Sequence, residues 1–520
     1  MSSPEPWKPS FNPWLIATSV MLATFMEVLD TSVANVALPH IAGNLSATAE
    51  ESTWVLTSYL ISNAIILPAT NWLGTVFGRK RFLIVCIGIF TLSSALCGAA
   101  SSLGLLLVAR VLQGAGGGAL QPIAQAVLLE SFPAEKRGSA MAVYGMGIVV
   151  APIIGPTLGG WITDNYSWRW IFYINIPIGL LAILMANTFI EDPPYIRSQR
   201  PGRIDYIGFG LMAVGLATLQ LVLDKGQEDD WFSSAFIVRS LMIAIVALVA
   251  FVIWELRTKD PIVNLRVLAN RNFAVGTALI ATVGIALYGT TALLPLFLQT
   301  LLDYPALQSG LAVSPRGIGA IVSMIMVGRL IGKIDGRYLI VLGFGILAAS
   351  TYLLSDIDLT ITIRSIAWPQ VFSGFALGFV FVPLTVMATG TLSNEQMGNA
   401  TGIYNLMRNV GGSFGIAMVT TMLARGAQAH QAAMVSHLTP YDPVFRERLS
   451  EMIANFSAHG NVVTATQQAY GAMYQTLVRQ AMLLAYIDNF RLLALLCLIC
   501  MPAGFLFKKV RARAGPTAMH

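Results

Sequence analysis

Arg110-Val111-Leu112-Gln113-Gly114-Ala115-Gly116-Gly117-Gly118 is echoed 260 residues later by Gln370-Val371-Phe372-Ser373-Gly374-Phe375-Ala376-Leu377-Gly378. The register runs on without a gap. Glu135, Gly138, Ala140 and Tyr144 fall on Glu395, Gly398, Ala400 and Tyr404, and Val150 and Gly155 fall on Val410 and Gly415. Two flanking helices and the loop between them therefore recur in one alignment. Each copy lies inside apolar runs long enough to cross a bilayer. Two six-helix bundles related by an axis along the membrane normal account for this. Such a layout puts a substrate site near the midplane between the bundles and moves it by rocking one bundle against the other.

The rest of the chain agrees with a membrane solvent. Of 520 residues 55% are hydrophobic and 11% charged, too little charge to cover a soluble protein of this size. Apolar runs fall near 14–38, 53–73, 82–100, 104–130, 139–161, 170–190, 204–224, 234–255, 272–298, 308–328, 338–355, 367–389, 399–423 and 488–507, which predicts fourteen spans. The expected organisation is an N-tail over 1–13, a bundle over 14–190, a two-helix insert over 204–255, a second bundle over 272–507 and a basic tail over 508–520. No cleavable signal peptide is read at the N-terminus. Twenty Lys and Arg residues lie in segments on the side of the termini, Lys8, Arg197, Arg200, Arg203, Lys509, Arg511 and Arg513 among them. The short loops of the other side hold three: Arg169, Lys225 and Arg364. This asymmetry predicts cytoplasmic termini. Residues 424–487 are polar and are expected outside, as a loop with helical pieces at Pro443–Phe456 and Val462–Arg479. That loop is either a passive surface or a docking site for a partner.

Charges within spans are costly and mark function. Glu27 and Asp30 share one face of the first span, and Arg110 lies in the fourth. Counted from the outer ends of their helices, Asp30 and Arg110 lie about 12 and about 9 Å deep. Similar depth allows an ion pair, and an acid beside a permanently charged guanidinium is a proton switch or a static packing element. Glu27 is a second acid, sharing the proton or holding a cationic substrate. Arg408 either receives an anion or pairs with a helix carbonyl, and Arg316 stands isolated in span 10. Gln113, Tyr288, Tyr404, Asn405 and Asn409 join Arg408 as expected cavity residues. Gly147, Pro152, Gly155, Pro156, Gly159 and Gly160 predict a bent, closely packed fifth span at the interface of the bundles. Asn71–Lys80 reads as a turn whose Gly78, Arg79 and Lys80 serve orientation or gating. Cys86, Cys97, Cys497 and Cys500 lie in spans and read as small apolar residues. No nucleotide loop, metal cluster or catalytic constellation is read, so neither an enzyme nor a cofactor is expected.

Leu29-Asp30-Thr31-Ser32-Val33-Ala34-Asn35-Val36-Ala37-Leu38-Pro39, Arg110-Val-Leu-Gln113-Gly114 and the Gly147–Gly160 run together resemble the EmrB/QacA branch of the drug:proton antiporters. These are fourteen-span members of the major facilitator superfamily, and the resemblance covers nearly the whole chain. It implies the major facilitator fold and proton-driven export of hydrophobic drugs or lipophilic weak acids. It assigns Arg110 to proton transfer and the fifth-span glycines and prolines to export rather than uptake. It also implies a periplasmic adaptor and an outer-membrane channel as partners in a bacterial inner membrane. Asn71 and Thr75 depart from the Gly and Asp usual in the loop after span 2, so gating by that Asp does not carry over. The alternative is a proton-coupled transporter of a specific metabolite or siderophore working without an adaptor.

Overall fold

The computed structural model describes residues 9–193, 205–457 and 462–508. Lys8, Arg197, Arg200, Arg203, Lys509, Arg511 and Arg513 lie outside the described residues, as do most of the two tails. Among the described residues there are eighteen α-helices and no strand.

The first group comprises α1 (Pro13–Asn44), α2 (Ala49–Phe77), α3 (Arg79–Ala99), α4 (Leu103–Gly117), α5 (Leu120–Ser131), α6 (Arg137–Asn165), the short α7 (Trp170–Tyr173) and α8 (Asn175–Phe189). An inserted hairpin follows, α9 (Tyr206–Lys225) and α10 (Ala235–Arg257). The second group comprises α11 (Arg271–Thr300), α12 (Ala306–Val313), α13 (Pro315–Leu330), α14 (Gly336–Leu353), α15 (Ile363–Thr389), α16 (Asn394–Val435), α17 (Pro443–Ser457) and α18 (Val462–Cys500). Thirteen helical stretches are long and apolar enough to cross a membrane. The span expected at 399–423 lies within α16, which packs into the second group but is too polar to join that count.

The repeat read from sequence is a packing repeat. α4 begins at Leu103 and α15 at Ile363, again 260 residues apart. A Cβ on Gly114 or Gly118 would run into the α2 backbone at Tyr59 and Asn63. A Cβ on Gly374 or Gly378 would run into α13 at Arg316, Ser323 and Met324. α2 and α13 are the second spans of their groups. Likewise Gly155 of α6 lies against Ser32 of α1, and its counterpart Gly415 of α16 lies against Ile285 of α11. Backbones in lipid attract one another only by close approach, and the repeated glycines permit it at equivalent places.

The groups meet along two seams. On one, α6 runs beside α13: Ser139 Oγ donates to the Gly328 carbonyl at 3.2 Å, Gly145 touches Met324, and Ile153 touches Gly317. On the other, α16 lies against α2 and α5. The hairpin fills the end of this second seam remote from the chain termini. There α9 bonds to α2 through Thr57–Asp224 and Thr53–Lys225, and to α16 through Gln220–Ser413. Lys225, expected in an outer loop, is thus a buried anchor in the last turn of α9.

Two expectations need correction. The turn over Asn71–Lys80 contracts to Gly78, with φ of 81°; α2 continues to Phe77 and α3 starts at Arg79. Packing against α3 and the facing Gly398 keeps residues 71–77 helical despite their Asn, Gly and Thr. The segment 424–487 is mostly helix rather than loop. α16 extends to Val435, and α18 runs unbroken from Val462 into the last span, with α17 packed beside it.

Candidate functional site: two buried polar clusters

α1 presents Asp30 and Glu27 to the centre of the first group, three residues apart and so on one side of the helix. Around Asp30 three donors converge. Arg110 Nη1 reaches Oδ2 at 2.6 Å, while Gln113 Nε2 and Asn175 Nδ2 reach Oδ1 at 2.9 and 2.7 Å. The guanidinium also donates to Gln113 Oε1 at 2.7 Å and to the Val55 carbonyl at 3.0 Å, and it lies 4.3 Å over the Tyr59 ring. Arg110 is 0% and Asp30 2% exposed. Ionised groups so buried persist only when paired and hydrogen-bonded, as these are.

Glu27 forms the second cluster. Its Oε1 accepts from Tyr59 Oη at 3.1 Å and Asn63 Nδ2 at 3.2 Å, and its Oε2 from Gln121 Nε2 at 2.6 Å. The Gln121 side-chain oxygen in turn accepts from Arg408 Nη2 on α16. A second bond crosses the same seam, Asn405 Nδ2 to Gln125 Oε1 at 2.6 Å. Arg408 is 1% exposed, and its Nε and Nη1 have no partner. Tyr59 joins the clusters, its ring under Arg110 and its hydroxyl on Glu27.

The structure therefore brings Asp30 and Arg110 into contact and sets Glu27 within reach of Arg408 through one amide. It places Arg408 and Asn405 on the seam, and the Tyr288 ring against Gly412, one turn beyond Arg408. Gln113, expected in the cavity, instead bridges Asp30 and Arg110, because α4 turns it inward rather than toward the seam. Tyr404 bonds to Thr385 inside the second group. Asn409 is half-buried on α16. Arg316 donates to Thr291 Oγ1 at 2.9 Å and has no acid beside it. Tyr59, Asn63, Gln121, Gln125 and Asn175 were not anticipated. Gln121 and Gln125 are spaced by four, a one-face signal within an apolar run.

The fifth-span run behaves as a fitted surface. Pro156 has no N–H for the Pro152 carbonyl, and Ser32 Oγ donates there at 3.1 Å instead. Gly147 lies against Met21 and Gly159 against Val33, whereas Gly160 meets only Val36 at 4.0 Å. Of the gating residues, Gly78 supplies the left-handed backbone, Arg79 is buried in an ion pair with Glu130, and the Lys80 amide donates to Asp192 at 2.8 Å. Among the described residues no group of His, Cys, Asp and Glu is disposed to hold a metal ion.

The Major Facilitator Superfamily model matches residues 20–416. The chain belongs to the Major Facilitator Superfamily. It is 40% identical to the multidrug export protein EmrB of Haemophilus influenzae over 84% of this chain and 86% of that one. It is 37% identical to the fatty acid resistance protein FarB of Neisseria gonorrhoeae over 95% and 96%. These levels place it among EmrB-type export transporters, multi-pass membrane proteins rather than enzymes. The human organic anion transporter MFSD10 superposes with a TM-score of 0.58 at 12% identity, over 94% of this chain and 100% of that one, a likeness of fold.

Proposed function

We propose that this facilitator is a proton-coupled antiporter that exports hydrophobic drugs or lipophilic weak acids across a bacterial inner membrane. The buried Asp30–Arg110 pair carries the reading. Arg110 stays charged at every relevant pH, so only the acid changes state. Protonating Asp30 removes the charge that compensates Arg110 and weakens three donor bonds at once. The deprotonated pair is a buried, charge-compensated unit in which both carboxylate oxygens accept hydrogen bonds. The protonated one leaves a cation seeking water or another partner, and that difference biases the rocking of the two groups. Proton uptake on one side and release on the other then drive export. The face with both chain ends lies in the cytoplasm on this reading, in line with its basic residues. The helical projection of α16, α17 and α18 beyond the bundle, with Tyr441 and Val444 exposed, suits a periplasmic adaptor linked to an outer-membrane channel.

The test uses inside-out vesicles with ethidium and oleate as probes, with and without an imposed proton gradient. Asp30→Asn is expected to abolish gradient-driven accumulation of whichever probe the parent moves, while expression stays intact. Gradient-driven transport by Asp30→Asn overturns the assignment.

A further inference from the structure

We infer that Gln121 is the positioning residue through which a proton on Glu27 is felt across the seam between the two groups of helices. The inference rests on the proton-coupled reading above but uses a different acid.

An amide has one donating and one accepting end, and here its neighbours fix which points where. A carboxylate only accepts and a guanidinium only donates. Gln121 therefore directs Nε2 to Glu27 and Oε1 to Arg408. Its backbone is pinned as well, since Tyr144 Oη donates to the Gln121 carbonyl at 3.2 Å. Oε1 of Glu27 already takes two donors, whereas Oε2 takes only Gln121. A proton drawn from water thus bonds to Oε2. Two donors, the new O–H and Nε2, then face each other. Turning the amide relieves that clash only by pointing Nε2 at Arg408, which cannot accept. No orientation satisfies both neighbours, and the link between the groups is lost. Protonation of one acid is so converted into separation of two bodies.

The charged and titratable groups around Glu27 are Tyr59 from α2, Tyr144 from α6, Arg408 from α16, Tyr288 from α11 and Asp30 from α1 itself, with Arg110 of α4 behind Tyr59. Arg408 is the one among them joined to Glu27 across the seam through Gln121.

The experiment measures the distance between spin labels on the exposed positions Lys136→Cys and Glu395→Cys, at the chain-end face of the two groups, from pH 5 to 9. Full-length protein in liposomes is used, with the four native cysteines replaced by serine. The parent is expected to pass from a short to a long distance as pH falls. Gln121→Met keeps the shape and loses both bonds, so the change vanishes or its midpoint moves by at least about one pH unit, a tenfold change in proton affinity. Arg408→Lys still only donates and retains the response. Arg408→Gln accepts as well as donates, lets the amide turn, and holds the short distance throughout. A parent-like titration in Gln121→Met or Arg408→Gln overturns the inference, as does loss of the response in Arg408→Lys or a parent without any response. Failure of gradient-driven transport in the parent sinks the antiport reading instead, and is scored separately in the same vesicles.

Discussion

The Asp30–Arg110 pair permits a double-substitution experiment that separates a proton switch from a static strut. Asp30→Asn leaves a guanidinium in a site with no other anion bonded to it: the remaining Arg110 contacts are Gln113 Oε1 and the Val55 carbonyl. Asparagine also offers one acceptor where three donors converge, so its own amide nitrogen meets either Arg110 or the Gln113–Asn175 pair. Breaking a buried pair from one side costs about 3–5 kcal/mol. Arg110→Gln alone leaves the carboxylate buried with only the two neutral donors and carries a similar penalty. The double variant has neither charge. Its loss is expected to be small, giving a coupling energy of at least about 3 kcal/mol in a double-mutant cycle. Stability is read by SDS-driven unfolding in mixed micelles, transport by gradient-driven accumulation in vesicles. A switch predicts that the double variant regains stability and not transport, because no proton-accepting group remains at position 30. A strut predicts that both return together. Recovery of parental gradient-driven transport in Asp30→Asn/Arg110→Gln refutes the assignment of proton movement to this pair.

Other perturbations test the surroundings of the site. Gly155→Val is expected to cost about 1–3 kcal/mol through overpacking against Ser32 and to abolish transport, while Gly160→Ala is tolerated, its nearest foreign atom being 4.0 Å away; thermal unfolding and vesicle transport of the two variants check the contrast. Gly78→Ala must force a side chain into φ of 81° and toward Asp192, 3.0 Å from its Cβ, and should lose about 1–2 kcal/mol by unfolding in mixed micelles. At the seam, the neutral Gln220–Ser413 bonds are weaker than the Lys225 and Asp224 anchors. A disulfide between Cys residues at 220 and 413 should therefore arrest transport until reduced, and one between 57 and 224 should not; the reverse result would assign the hairpin to the second group.

The part of the site legible in the sequence was the part bearing charge. Asp30 and Arg110 stand out because few charges enter the spans, and counting turns from the helix ends gave them similar depth. Gln121, Asn63 and Asn175 are neutral amides, cheaper to bury and so less conspicuous, although the Gln121–Gln125 spacing marks one face. Local composition misled where tertiary packing overrides it. Asn71, Gly74 and Thr75 suggest a turn, yet all are helical, and Gly78 alone breaks the backbone. Polarity over residues 424–487 does not distinguish a loop from a helix that simply continues. The polarity of α16 within the bundle has a structural origin: Asn405 and Arg408 face the seam rather than lipid.

The repeat explains how such a site is held. Gly114 and Gly118 bring α4 against the α2 backbone, and Gly117 leaves room for Tyr59 Oη and Glu27 Cγ, which a Cβ there would approach to 2.7 and 3.3 Å. Close approach of two backbones thus fixes the donors of Glu27. In the second group Gly374 and Gly378 bring α15 against α13 in the same manner, but the residue met there is Arg316, and Gln370 stands where the first group has Arg110. The scaffold is repeated and the chemistry is not: the buried acids Glu27 and Asp30 sit on the first group, while the unmatched guanidinium groups of Arg316 and Arg408 sit on the second. On the proposed reading a proton binds the first group, and its effect must cross the seam to move the second. Symmetric packing lets the two bodies rock as equals, and asymmetric charge gives that motion a side on which the proton is held.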